Sequence, residues 1–288
     1  MAITSKDGSV ADTNISDFFS KMTFPSWRDP RWVLAAYAIT FILFAINTPG
    51  FARTPTQFFV GFATCVVVDC LFLFLVKGVS IFPLSGMLSS MGVFLLCDSP
   101  HVWPYFVVGL LTILSKHLLV IGGRHIFNPN NFGVVMGFLF LPSYMTITAS
   151  RWGPNSAVVA VLSLFGLFLV YRAKRLPLVL SFLAVFSLGA WARSALTGVN
   201  LLTVFSPAFG AAFQLFIFYH ITDPKTSPSK SSHQLYFGVV LAVIDAIFRY
   251  NQNKYAPFLS LFILTGFYSF LRSYYRLDSS ANAVAVKV

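Results

Sequence analysis

Apolar segments long enough to cross a membrane recur along most of this chain, separated by short polar connections that often contain Pro or Gly. Such runs predict transmembrane helices, because a helix is the form in which a single segment satisfies its own backbone hydrogen bonds in lipid. The third run is short and contains Pro83 and Gly86, which predicts a broken or half-spanning helix. Gly109, Gly137 and Gly166 are predicted to allow close helix packing. The predicted spans are residues 32–47, 58–76, 82–97, 103–121, 132–148, 155–171, 177–193, 201–220, 234–250 and 256–273.

Composition supports an all-α, polytopic integral membrane protein. The 288 residues are 57% hydrophobic and 10% charged, whereas ordinary globular domains carry about 25% charged residues. The net charge of +11 is spread over short loops rather than gathered in one stripe, which favours membrane headgroups over nucleic acid as the partner. The three cysteines show no CxxC or Cys/His spacing, so no metal site is predicted.

The basic residues also predict an orientation. If the N-terminus is cytoplasmic, fourteen of the 20 Lys and Arg residues fall on that side, five fall on the other, and Lys116 lies within a span. The positive-inside rule then places both termini in the cytoplasm. The expected organisation is a polar N-terminal arm over residues 1–30, a transmembrane domain over 31–276 and a C-terminal tail over 277–288.

One pattern occurs twice in the chain. A Pro-x-x-Gly sequence ending at Gly86 is followed 12 residues later by Asp98, and another ending at Gly210 is followed 13 residues later by Asp223. These positions belong to the third and eighth spans, which run in opposite directions because they are five spans apart. Two inverted five-helix repeats, which commonly meet at a central site, produce this pattern. The expected repeats cover residues 31–150 and 151–276.

Two polar motifs are candidates for a binding site. Thr222-Asp223-Pro224-Lys225-Thr226 ends a long apolar run, where Pro224 stops the helix and leaves backbone groups without helical partners. The segment 128–131, together with Arg124, places amides and a cation at a predicted helix start on the same side of the membrane. The alternative is a pair of capped, solvated loops. The candidate site residues are Asn128, Asn130, Asn131, Thr222, Asp223, Lys225 and Thr226.

These motifs resemble those of a known family. The sequence Asn128-Pro129-Asn130-Asn131-Phe132-Gly133 is similar to the NPxxxG segment of the RnfD/NqrB family of membrane electron-transport subunits, and Thr222-Asp223-Pro224-Lys225-Thr226 is similar to that family's TDPxT signature. Residues 248–258 resemble the segment that follows, and the likeness extends from about residue 32 to 276. The resemblance implies a urea-transporter-like fold of ten helices in two inverted repeats. It also implies a bacterial cytoplasmic membrane and other membrane subunits as partners.

The sequence departs from the family pattern at the point where the cofactor is attached. Redox members attach FMN covalently to a Thr in an SGAT-type sequence after the fifth span, but the connection 142–155 contains Thr146 and Thr148 without that sequence. Covalent FMN is therefore not expected, and a noncovalent flavin, FMN or riboflavin, is the cofactor that the resemblance leaves open. This short form resembles RnfD-like proteins of natural-product gene clusters. His117 and His220 do not form the pair on one helix that dihaem cytochromes usually carry, so haem is not expected.

Ionisable residues within spans indicate a possible ion pathway, because burying them in a membrane is costly. Asp69 and Asp245 are hypothesised to be stations for Na⁺ or H⁺. Alternatively, each aspartate satisfies a neighbouring helix, for instance through a pair with Lys116. The candidate pathway comprises Asp69, Asp98, Lys116 and Asp245.

Together these features predict a subunit that binds a noncovalent flavin or similar cofactor and supports electron transfer or ion coupling in a membrane complex. In that hypothesis Asn and Thr side chains bind the polar edge of the cofactor, Phe127 and Phe132 pack on its ring, and Lys225 or Arg124 balances a phosphate. The alternatives are a small-solute channel or transporter between the repeats and a structural subunit of a larger complex. No motif for an independent enzyme activity is found in the sequence.

Overall fold

The computed structural model describes Ser20 and residues 22–47, 53–147 and 156–275, except for the side chains at 156, 158 and 211. These residues are mostly helical, which confirms the all-α class. The predicted tail and most of the predicted N-terminal arm lie outside the described residues. The helices are α1 (Arg31–Ile46), α2 (Pro55–Leu71), α3 (Leu84–Leu96), α4 (Trp103–Leu118), α5 (Pro129–Phe140), α6 (Ser156–Arg172), α7 (Leu176–Thr197), α8 (Leu201–Phe205), α9 (Ala211–Leu215), α10 (Ser231–Tyr250) and α11 (Ala256–Tyr275).

Shorter elements connect or extend these helices. Two π-helical turns, Phe72–Val76 and Phe216–His220, continue α2 and α9. A 3-10 turn, Ser206–Phe209, follows α8. A two-stranded antiparallel hairpin of β1 (Val120–Ile121) and β2 (Arg124–His125) joins α4 to α5.

Local sequence explains where several helices begin and end. Thr54 and Gln57 form a capping box at the start of α2, in which each side chain bonds the other's backbone. Asn128 caps α5 by accepting a hydrogen bond from the Asn131 amide at 3.1 Å. Gly198 ends α7 in the left-handed conformation, with φ of 69°, where glycine avoids the strain of a side chain.

Four helices among the described residues are long and apolar enough to cross a membrane, namely α2 with its π-helical turn, α7, α10 and α11. A fifth span results if α8 with its 3-10 turn and α9 with its π-helical turn are counted as one bent unit. Large apolar side chains such as Leu164, Leu202 and Phe270 are 64–79% exposed, as lipid-facing positions require. These features support a membrane protein.

The predicted third and eighth spans differ from expectation in different ways. The third is short, as predicted, but α3 is an unbroken 13-residue helix. The eighth, predicted over 201–220, consists of two helical parts that meet at a bend of 62° and can be counted as one broken span. Pro207 provides no backbone N–H, and Gly210 adopts an extended conformation (φ −82°, ψ 149°), so the helical hydrogen bonds are interrupted there.

Candidate functional site

The two polar motifs predicted from the sequence meet in the structure. The Asn128 Nδ2 donates a hydrogen bond to the Asp223 Oδ2 at 3.1 Å, although the two residues are 95 positions apart. Asp223 also organises its own loop, because its Oδ1 accepts from the Lys225 amide at 2.9 Å and its carbonyl accepts from the Ser227 hydroxyl at 2.8 Å. The start of α5 and the loop after the second π-helical turn are therefore joined directly.

Three arginines hold the 223–227 loop in place. Arg124 of β2 donates to the carbonyls of Lys225 at 3.1 Å and Ser227 at 3.0 Å, and also to that of Pro224. Arg175, just before α7, donates from Nε to the Ser227 Oγ at 3.0 Å. Arg272 of α11 donates to the Lys225 carbonyl at 3.3 Å. Guanidinium groups suit this role because they present several donors in a fixed plane.

The loop is electrostatically asymmetric, with one carboxylate among several cations. Burial raises the pKa of the Asp223 carboxyl above its ordinary value, although the Lys225 amide, the Lys225 ammonium and the Asn128 amide favour its charged form. Nearby, burial lowers the pKa of His125 to about 3, and the charge of Lys225 acts in the same direction. His125 is therefore neutral near pH 7, and the net charge of the region is positive.

The remaining candidate residues are placed differently from one another. Asn131 donates from Nδ2 to the Phe258 carbonyl at 3.1 Å, and Thr222 bonds the Phe218 carbonyl at 2.9 Å within its own segment. Asn130 packs against the backbone of Gly92, where an added Cβ would lie 2.0 Å from its Nδ2. Asn130, Asn131, Thr222 and Thr226 are buried, whereas the Lys225 side chain is exposed. The candidate set thus divides into an interior group and a surface group.

The aromatic residues expected to pack on a cofactor ring contact each other and Phe262 instead. The rings of Phe127 and Phe262 stack with centroids 4.5 Å apart and planes 8° apart. Phe132 is tilted against both, at 5.5 and 6.0 Å. A ligand that entered between the stacked faces of Phe127 and Phe262 would have to displace one of the two rings.

A second polar site lies between α2, α3 and α4. The Lys116 Nζ donates to the Asp69 Oδ1 at 2.6 Å and to the Ser85 Oγ at 2.5 Å. The His117 Nε2 is 2.7 Å from the same Asp69 Oδ1. Asp69 is fully buried, so three helices converge on one shielded carboxylate. The pairing of Asp69 with Lys116, one alternative raised by the sequence, is confirmed.

Asp245 forms a third site in the second half of the chain. Its Oδ2 accepts from the Arg249 Nε at 2.6 Å, while its Oδ1 is buried without a hydrogen-bond partner among the described residues. Arg193 donates to the carbonyls of Arg249 and Val204. A small pocket is lined by Asp245, Arg249, Arg193 and Phe186. The four-residue spacing of Asp245 and Arg249 is the signal that could have identified this pair from the sequence.

Asp98, the fourth predicted ion-pathway residue, lies in the turn after α3, where its backbone pairs with Thr146 through bonds of 2.8 and 2.9 Å. Ser85 lies in the first turn of α3 and Asp98 just beyond its last residue, and the helix is about 20 Å long. Asp98 is therefore at the opposite end of α3 from the serine that contacts Lys116.

The histidines considered as haem ligands occupy separate environments. His117 contacts Asp69, and the His220 Nδ1 is 3.0 Å from the Leu215 carbonyl. Among the described residues, no group of three or more His, Cys, Asp or Glu side chains is arranged to hold a metal ion.

Comparisons with known proteins do not identify a family for this chain. No family model matches it, and no curated protein matches it either.

Proposed function

We propose that this chain is an RnfD/NqrB-like membrane subunit that binds a noncovalent flavin, or a similar anionic cofactor, and supports electron transfer or ion coupling within a larger membrane complex. The observation that carries the proposal is the hydrogen bond between Asn128 and Asp223, which joins the two family-like motifs. In this proposal ten helices form two inverted repeats in a bacterial cytoplasmic membrane with both termini in the cytoplasm. The bound cofactor would supply the electron-transfer chemistry, and the chain would position it.

The packing of the helices supports the inverted repeat. In the first half α1 packs on α3, α2 packs on α3 and α4, and α4 packs on α5. In the second half α6 packs on α9, α7 packs on α8 and α10, and α10 packs on α11. The order of these contacts is the same if α8 and α9 together correspond to α3, although α3 also packs on α4 and α5 more extensively than α8 and α9 pack on α10 and α11. The halves meet through α1 with α6 and through α5 with α11, which are equivalent helices, as a pseudo-two-fold axis requires.

Two arginines occupy corresponding positions in the halves. Arg53 precedes α2 and donates to the carbonyls of Phe94 and Leu95 at the end of α3. Arg175 precedes α7 and donates to Ser227, beyond the end of the corresponding helix. In both cases a cation at the start of the second helix binds the region where the third helix ends. This similarity favours duplication over a chance match of Pro and Gly.

The residues present fit the polar part of a flavin better than its ring. Lys225 is exposed and would be the group that binds a phosphate, while Arg124, already bonded to the loop carbonyls, adds positive charge nearby. The Oδ1 atoms of Asn130 and Asn131 are buried without hydrogen-bond partners among the described residues, so each can accept a bond from a ligand N–H group. The stacked Phe127 and Phe262 rings leave no free aromatic face between them. Binding would therefore start from the phosphate and the polar edge.

The direct test is to purify the full chain from membranes, alone and together with co-expressed partner subunits, and to measure its absorbance spectrum and the mass of any released cofactor. We expect one flavin per chain, with markedly lower occupancy in Asn128→Leu and Asp223→Asn. Asp29→Asn, which makes the same chemical change outside the site, should retain it. Protein without flavin absorbance or flavin mass, even when produced with its partners, would refute the proposal.

The broken helix favours one second candidate, a channel or transporter for a small solute. The 62° bend between α8 and α9, together with the short α3, places an interrupted helix and a short helix at corresponding positions of the two halves. Discontinuous helices of this kind frame solute sites in transporters with inverted repeats. The path would pass Ser85, Asp98 and Gly210. Solute flux into proteoliposomes containing cofactor-free protein would favour this function over the first.

A further inference from the structure

We infer that Asp69, Lys116, His117 and Ser85, here called the Asp69 cluster, form a proton-exchange site, and that the ion handled there is H⁺ rather than Na⁺. The inference rests on the ion-coupling part of the proposed function but does not depend on the identity of the cofactor. It goes further because it assigns one ion and one relay residue to one named cluster.

The geometry of the Asp69 cluster is that of a shared hydrogen-bond network. The Asp69 Oδ1 faces two nitrogen atoms, the Lys116 Nζ at 2.6 Å and the His117 Nε2 at 2.7 Å. The Ser85 Oγ accepts from Lys116 at 2.5 Å and lies 3.4 Å from the Asp69 Oδ2. Side-chain exposure is 0% for Asp69, 2% for His117 and 11% for Lys116. Each polar atom that contacts the carboxylate can donate a proton.

The same geometry disfavours a sodium ion. A hard cation requires several oxygen ligands around it, but nitrogen donors already occupy the Oδ1 of Asp69, and Lys116 brings a positive charge within 2.6 Å. The other carboxylate oxygen faces the Ser85 Oγ at 3.4 Å and packs closely on α3, since a Cβ added at Gly86 would lie only 2.9 Å from Oδ2. A proton does not need a shell of oxygen ligands.

His117 can act as a relay that passes a proton to Asp69. Its ring stacks on Phe72, with centroids 4.6 Å apart and planes 3° apart, which fixes the Nε2 toward Asp69. Its Nδ1 is buried without a hydrogen-bond partner among the described residues. When Nδ1 gains a proton, Nε2 can release its own proton to the Asp69 Oδ1. One proton enters and one is passed on, leaving a neutral imidazole and a carboxylic acid.

The charged and titratable groups around the Asp69 cluster are mostly basic. They lie on α1, on α2, on the connection after α2, on the hairpin and on the 223–227 loop. The charges of Lys77 and Lys225 act on the Lys116 ammonium rather than directly on Asp69. These groups are Arg31, Cys65, Cys70, Lys77, His125 and Lys225.

The test is infrared difference spectroscopy of the full chain in lipid nanodiscs during pH jumps between about pH 3 and 7, a range that reaches below the ordinary titration of an aspartate. We expect a carboxylic-acid band in the wild type that is absent in Asp69→Asn and retained in the control Asp29→Asn. The band should not change when K⁺ is replaced by Na⁺. His117→Gln keeps the pair of Asp69 and Lys116, and should slow the appearance of the band by at least about tenfold because the relay is lost.

Each alternative outcome is distinct. A band that requires Na⁺, or that Na⁺ removes, would identify a sodium site and overturn the inference. A wild-type spectrum without a band attributable to Asp69 would show a static ion pair, and unchanged kinetics in His117→Gln would exclude the relay. If Asp69→Asn does not fold, the His117→Gln kinetics and the Na⁺ exchange still decide. Absence of flavin in the same preparation would refute the proposed cofactor without affecting these results.

Discussion

The contact between α7 and α10 gives the sharpest test of the packing, through Gly238→Ala. A Cβ at Gly238 would lie 2.5 Å from the carbonyl oxygen of Leu178 and 2.1 Å from the Ser181 Oγ. The serine hydroxyl can rotate away, but the carbonyl belongs to the backbone of the facing helix. The two helices would have to separate by about 1 Å to restore an ordinary contact.

The expected cost follows from two opposing effects. Overpacking of this kind typically destabilises a protein by about 1–3 kcal/mol, and loss of close approach between helices in a membrane adds to that cost. Replacing Gly by Ala within a helix returns about 1 kcal/mol of helix propensity. We therefore expect a net destabilisation of about 1–2 kcal/mol, equivalent to a decrease of about 2–8 °C in the midpoint of thermal unfolding for a chain of this size.

The matched control is Gly61→Ala on α2, because a Cβ there would meet no atom closer than 3.8 Å. That variant makes the same chemical change and should be as stable as the wild type or slightly more stable. Both would be heated in detergent, and the fraction remaining in the monodisperse peak would be measured by size-exclusion chromatography. Equal midpoints for Gly238→Ala and Gly61→Ala would refute the close packing of α7 and α10.

Three further predictions use the same heating assay. Arg124→Gln should lower the free energy of unfolding by about 1–3 kcal/mol, because it removes the donors that hold the 223–227 loop. As a control, the same change at the exposed Arg172 should alter that free energy by less than about 0.5 kcal/mol. Burial lowers the pKa of His125 to about 3, so the folded state keeps this histidine neutral while the unfolded chain gains a proton below about pH 6.5. The free energy of unfolding should therefore decrease as pH falls, by up to about 2 kcal/mol at pH 5, and His125→Gln should remove this dependence. Lys116→Met should lower the free energy of unfolding by about 3–5 kcal/mol, since it leaves the buried Asp69 carboxylate without its ammonium partner. The double variant with Asp69→Asn should lose less than the sum of the two single losses, and strict additivity would show that the pair is not coupled.

The meeting of Asn128 with Asp223 could be predicted because it depends on features visible in sequence. Pro and Asn mark where helices begin, Pro marks where one ends, and the count of spans with the positive-inside rule puts both loops on one side. The role of Arg124 could not be predicted in the same way. It binds backbone carbonyls, and every residue has a carbonyl, so the sequence does not indicate which one an arginine will reach.

The buried charges show where sequence reasoning stops. That Lys116 would pair with Asp69 was one of two alternatives, because both residues are costly to bury alone. The contact of His117 with Asp69 depends on how α4 is rotated about its axis relative to α2. The sequence does not predict that rotation, because the lipid-facing and protein-facing sides of these helices have similar apolar composition. In contrast, the predicted close approach at Gly166 is confirmed, because a Cβ there would lie 2.3 Å from the Phe218 ring. Small residues in helices carry that information directly.

Two of the three polar sites adjoin a π-helical turn. Phe72–Val76 begins three residues after Asp69 and supplies the ring that stacks on His117. Phe216–His220 ends three residues before Asp223. π-Helical turns are rare and occur frequently at functional sites, and their wider hydrogen-bond spacing leaves no signal in composition. The association of this rare backbone form with the Asp69 cluster and with the 223–227 loop supports the two proposed sites independently of their side chains.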